Sequence, residues 1–196
     1  MSLISARQTA MNTEPDVLKG VVAGTIGGVV ASWVMDEFQA VWIKATEPIQ
    51  YSQGNGSNES SSSIQGKEQS QAEGEEQQPA TVKAAEMISE KIFGHQLAKE
   101  KRKIAGVAVH YATGAASGAI YGAAAEVAPN VTVGAGIPFG TAVWLVVDET
   151  AVPLLGLSKG PTAYSLSTHI YALASHLVYG LTTDMTRRVL RRTILR

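Results

Sequence analysis

The 196-residue chain contains no cysteine, which excludes disulfides, Cys-ligated zinc and thiol catalysis. Charge is scarce as well. Asp, Glu, Lys and Arg make up 17% of residues, against about 25% in an ordinary soluble domain. The net charge is −1, so bulk electrostatics draws no nucleic acid to it and none is expected as a partner. Familiar catalytic signatures are missing: no His-Glu-x-x-His, no Gly-x-Ser-x-Gly, no Gly-x-x-x-x-Gly-Lys-Ser/Thr phosphate loop. Gly134, Gly136 and Gly140 approach a dinucleotide fingerprint, but the spacing is too long and Pro138 interrupts it. We therefore expect a protein that is not an enzyme and takes no cofactor or metal.

What is present is unevenly distributed. The few charges gather before residue 20, between 44 and 103, and after 183. Residues 1–16 read as a polar tail. The first apolar span covers 17–44, with Lys19 at its start and Asp36 and Glu37 inside it. Glu14 and Asp16 carry the wrong sign for a secretory leader, and no small-x-small cleavage site follows. Residues 45–80, rich in Ser, Gln, Glu and Gly, bury too little apolar area to offset chain entropy and are expected to be a disordered linker. Residues 81–98, with Val82, Ala85, Met87, Ile88 and Ile92, read as an amphipathic helix ending near Gly94. Such a helix fits either flat in a membrane interface or as a lid on the bundle.

Residues 104–187 hold three further spans: 104–125, 131–147 with an extension through Leu157, and 163–183. Crossing a hydrocarbon core takes about 20 apolar residues. Residues 188–196 form a basic tail. The expected fold class is all-α: an integral membrane bundle of about four transmembrane helices in contact with the lipid bilayer, with self-association into a homo-oligomer as a further expectation. A soluble bundle rich in glycine and alanine is the competing reading.

The glycine spacing favours lipid. Gly20, Gly24 and Gly28 recur every four residues, and so do Gly114, Gly118 and Gly122. Positions four apart share a helix face, so each triplet forms a groove free of side chains. Membrane helices gain little from burying apolar surface against one another and associate through close backbone contact instead. In water each such glycine costs about 1 kcal/mol against alanine.

Ionisable side chains at membrane depth are costly and mark functional sites or interhelical ties. The candidates are His110, Asp148, Glu149, His169 and His176, with Glu37 and Glu126 nearer the span ends. His110 lies one turn before Gly114 and so belongs to the glycine face. His169, His176 and Gly180 fall on one stripe of the last span. Asp148 and Glu149 differ by about 100° around an α-helix, so only one of them is expected to face inward. Pro153 and Pro138 remove backbone donors, freeing the carbonyls of Glu149 and Gly134 and bending or breaking the third span. Interrupted helices with acidic groups are where transporters place ions. The competing reading is that the histidines only tie helices together. The tyrosines and tryptophans read as interfacial belts.

Basic residues favour the cytoplasmic side. Arg187, Arg188, Arg191, Arg192 and Arg196 place the C-terminus there, while Lys99, Lys101, Arg102 and Lys103 ask the same of the second span's start. Three crossings separate the two clusters. Either the third span re-enters without crossing, or the acidic insertion weakens the second cluster.

Three motifs, His110-Tyr111-x-x-Gly114-x-x-x-Gly118-x-x-Tyr121-Gly122, Gly140-x-x-x-Trp144-x-x-x-Asp148-Glu149-x-x-x-Pro153-x-x-Gly156-Leu157 and His176-Leu-Val-Tyr179-Gly180, stand beside the first-span glycines through Glu37. With this pattern the chain resembles the YagU-like family of bacterial inner-membrane proteins. The resemblance implies an inner-membrane location and no assigned activity, and it supplies no catalytic residues. The function expected is a multi-pass membrane protein whose His/carboxylate cluster passes or responds to protons. The alternative is an assembly protein that recruits partners.

Overall fold

A computed structural model describes residues 16–46 and 78–195. Residues 1–15 of the first tail and 47–77 of the 45–80 linker lie outside that set. Every regular element among the described residues is helical. We number the long helices α1 (Val17–Thr46), α2 (Ala80–Phe93), α3 (Lys99–Val127), α4 (Ile137–Leu154) and α5 (Leu166–Thr193). Two of them, α1 and α4, are long and apolar enough to cross a membrane.

α1 begins where Asp16 caps its free amides: the Lys19 N–H donates to Asp16 Oδ1 at 3.1 Å. That hydrogen bond holds the exposed Asp16 carboxyl below its ordinary range. α1 then runs antiparallel to α3. A Cβ on Gly24 would overlap the Gly118 carbonyl oxygen, one on Gly20 that of Gly122, and one on Gly28 that of Gly114. The reciprocal holds from α3, where Gly118 faces Gly24 and Gly122 faces Gly20. A second face of α1, through Gly27, meets the Thr183 carbonyl of α5. α5 is thus also antiparallel to α1, since the Trp42 and Tyr171 rings pair at 6.0 Å further along.

α4 packs antiparallel on α5 through a third close contact. Gly140 lies against the His176 carbonyl and Gly136 against that of Gly180, where any Cβ would overlap. Gly136 also has φ 83°, so glycine is required there twice over. The helix opens at Ile137, later than the expected span start at 131, because Gly134, Ala135 and Gly136 all take positive φ. Pro138 therefore sits in the first turn, where its missing donor costs nothing, and does not bend a span. Pro153 acts differently. Ahead of it, Trp144–Ala151 widens into a π-helix in which the Val152 N–H reaches back to the Val147 carbonyl. The helix is broadened there, not broken.

α2 ends at Gly94 in the left-handed conformation, its N–H bonded to the Glu90 carbonyl at 3.2 Å. It packs on the start of α3, with Val82 against Gly106 and Glu86 paired to Arg102 at 2.8 Å. The last helix continues through Thr193, so 188–193 is helical, not a tail. Lys99, Lys101, Arg102 and Lys103 lie at the opposite end of the bundle from Arg187, Arg188 and Arg191, as the antiparallel packing requires.

Among the described residues, polar side chains share the interior with alanine, Met35, Leu157 and tyrosines. The largest fully buried side chains are Thr183, Asp184, Ser32 and Ser175. Aliphatic groups such as Leu18, Ile104, Ile120, Leu154 and Leu166 are exposed by 70% or more. The tyrosines do not form belts alone: Tyr121, Tyr171 and Tyr179 are buried within the bundle.

Candidate functional site

Three histidines each face a carboxylate. His110 Nε2 of α3 lies 3.3 Å from Asp36 Oδ1 of α1, without the alignment of a hydrogen bond. The other Asp36 oxygen accepts from the Tyr111 hydroxyl at 3.0 Å. His169 Nδ1 of α5 sits 2.8 Å from Glu149 Oε1, and its Nε2 is 3.0 Å from the Pro161 carbonyl. His176 Nε2 stands 3.7 Å from Asp148 Oδ2, while its Nδ1 lies 2.8 Å from the Ala172 carbonyl. An Nδ1 held against a carbonyl carries the proton, which leaves Nε2 of neutral His176 as the acceptor toward the cavity.

All five residues singled out by sequence, His110, Asp148, Glu149, His169 and His176, line one cavity of about 540 Å³. It is lined by α1, α3, α4 and α5, with α2 across one side. The expectation that only one of Asp148 and Glu149 faces inward is corrected, since both line the cavity. The cause is local. A π-turn holds more residues than an α-turn, so consecutive side chains diverge less in direction.

Asp36 was not among the candidates, although a signal for it existed. Gly20, Gly24, Gly28, Ser32 and Asp36 continue one four-residue stripe, which meets Glu126, Gly122, Gly118, Gly114 and His110 in reverse order. Its neighbour Glu37 is exposed.

A second polar cluster closes the far end of the bundle. Asp184, with no exposed surface, accepts from Arg187 at 3.2 Å and from Arg188 at 2.6 Å. Glu126 receives Arg191 through two hydrogen bonds of 2.7 and 2.9 Å, with Arg187 Nη1 at 3.9 Å. Arg187 also stands over the Tyr121 ring, 5.8 Å from its centroid. Among the described residues, no group of three or more His, Asp or Glu side chains is placed to hold a metal ion.

The class so defined is an all-helical protein with two helices suited to crossing a membrane. Within the chain, residues 90–185 match a family described as "Protein of unknown function (DUF1440)". That agrees with the expected similarity to a family without an assigned activity, and no named relative ties the chain to the YagU-like proteins. Neither a curated protein nor a solved structure matches it. The matched stretch holds all five cavity residues and leaves out α1, and with it Asp36.

Proposed function

We propose that the protein is a multi-pass membrane bundle, with α1, α3, α4 and α5 all crossing the bilayer, and that its His/carboxylate cavity passes or responds to protons. The observation that carries the proton reading is the placement of His110, His169 and His176 each beside a carboxylate around one cavity. Imidazole titrates between about pH 5 and 8, and each carboxylate offers a neighbouring proton acceptor. His176 and His169 of α5 face Asp148 and Glu149 of α4, with His110 of α3 and Lys159 of the α4–α5 connection on the same lining.

The membrane reading rests on the inverted distribution of side chains. Hydroxyl, carboxylate and guanidinium groups lie inside, and aliphatic ones such as Ile104 and Leu166 point outward. Gly106, Gly114, Gly118 and Gly122 of α3 and Ser175, His176 and Gly180 of α5, which lower the hydropathy of those helices, are buried. The glycine contacts act as a zipper suited to lipid, where close backbone approach replaces hydrophobic burial. We place the bundle in a bacterial inner membrane with a cytoplasmic C-terminus, on the strength of Arg187, Arg188, Arg191 and Arg192. It acts without catalysis.

The test is reconstitution into liposomes with a trapped pH dye and an imposed pH step. Wild-type protein collapses the gradient faster than empty liposomes, and His176→Ala and Asp148→Asn return the rate to that of the lipid alone. Equal rates for wild-type and empty liposomes would falsify the proton reading. Recovery of the untreated protein in the supernatant after high-speed centrifugation without detergent removes the membrane reading.

A second reading has its own support. His169 spends both ring nitrogens on protein partners, Glu149 and Pro161, as a residue that ties helices would. If His169→Ala lowers thermal stability in detergent while proton flux persists, His169 is an interhelical tie in an assembly protein.

A further inference from the structure

We infer that the cavity binds a lipophilic organic cation, its charge beside Asp148 and its hydrocarbon against the walls from α1, α2 and α4. This rests on the reading of the cavity as a working site and names its ligand class.

The volume is the first argument. A proton path needs only a file of waters, each taking about 30 Å³ of liquid. The cavity measures about 540 Å³, within the range of roughly 300–1,000 Å³ found for pockets that enclose small organic molecules. The walls are the second. Met35, Met87, Ile88, Val147, Val152 and Leu157 present hydrocarbon that water would hydrate poorly and an organic ligand would cover.

Charge sets the sign of the ligand. Among the described lining residues, the carboxylates of Asp148 and Glu149 outnumber the single ammonium of Lys159. The two carboxylates are not equivalent. Glu149 is engaged by His169 at 2.8 Å. Asp148 has His176 Nε2 at 3.7 Å, an ion-pair distance when that imidazole is protonated but beyond hydrogen-bonding range. Of the two lining carboxylates it is the one without a histidine hydrogen bond, and the one assigned to the cation.

An organic anion would meet two carboxylates, and a small hydrated cation would leave the hydrocarbon walls uncovered.

Equilibrium dialysis of the purified full-length protein in detergent, against tetraphenylphosphonium and its anionic counterpart of similar shape, tetraphenylborate, decides the matter. Protein-free micelles are the blank. Saturable binding of the cation only is expected, weakened at least about tenfold by Asp148→Asn. Met87→Trp narrows the cavity without touching Asp148 and should also abolish binding, with helical content and melting temperature checked for both variants. No saturable binding, equal binding of the borate, or unchanged affinity in well-folded Asp148→Asn overturns the inference. Proton flux with no cation binding sinks this inference alone, and cation binding without flux sinks only the proton reading.

Discussion

The hydroxyl of Tyr179 donates to the backbone carbonyl of Gly114 across 2.6 Å, inside the bundle. That carbonyl is also where Gly28 of α1 packs, so one oxygen marks the meeting of α1, α3 and α5. Tyr179→Phe keeps the ring contact with Phe139 and removes only the hydroxyl. We expect a loss of about 1 kcal/mol, the usual net worth of such a bond. It should appear as a lower midpoint of thermal unfolding in detergent, with unchanged helical content.

Gly118 tests the close contact of α1 with α3. A Cβ there would stand 2.8 Å from the Gly28 Cα and overlap the Gly24 carbonyl, both backbone atoms that cannot swing aside. Gly118→Ala should cost about 1–3 kcal/mol by overpacking, and Gly118→Leu should separate the two helices. Gly160, with nothing near its missing Cβ, is the control, and Gly160→Ala should leave the melting point unmoved. An unaltered melting point for Gly118→Ala would show that α1 and α3 do not approach as described.

Asp184 neutralises two arginines from a site with no exposure. Asp184→Ala leaves Arg187 buried with only Glu126 at 3.9 Å, and breaking a buried pair in this way costs about 3–5 kcal/mol. Arg187→Met in the same background should recover part of the loss. Chemical unfolding of the single and double variants measures the coupling, and simple additivity would argue against the pair.

The fold was legible in sequence wherever a period was involved. Four-residue glycine spacing located the α1–α3 contact, because a helix face is a local property of the chain. Asp36 escaped because it was weighed with Glu37 as an acidic pair, when the same four-residue period assigns Asp36 to the inward stripe and leaves Glu37 exposed. Asp184 and Arg187 escaped for another reason. They follow the last uncharged stretch and read as surface charges, and their burial depends on Glu126 and Tyr121, which come from a helix distant in sequence. The inward turn of both Asp148 and Glu149 depends on π-geometry upstream of Pro153, which no side-chain periodicity announces.

At the N-terminus of α1 the effect of acid has a defined sign. The folded-state pKa of Asp16 is depressed below its ordinary 3.8 by the Lys19 amide. Its contribution to the first turn is therefore complete well above that pH and fades as the pH falls through the depressed value. Amide-exchange protection at Lys19 and Gly20, corrected for intrinsic rates, should drop in Asp16→Ala at neutral pH. Wild type and variant should converge in strong acid, and a constant difference down to the lowest pH would contradict the cap.

Because α1 and α4 run against α3 and α5, Val17 and Thr193 emerge at one end of the bundle, while Thr46 and Ala80 emerge at the other. With the bundle placed across a membrane as proposed above, this becomes a rule of sidedness. Reporters fused before the first helix and after the last should light up in the same compartment, and a protease-cleavable tag spliced between α1 and α2 should be cut only from the opposite side.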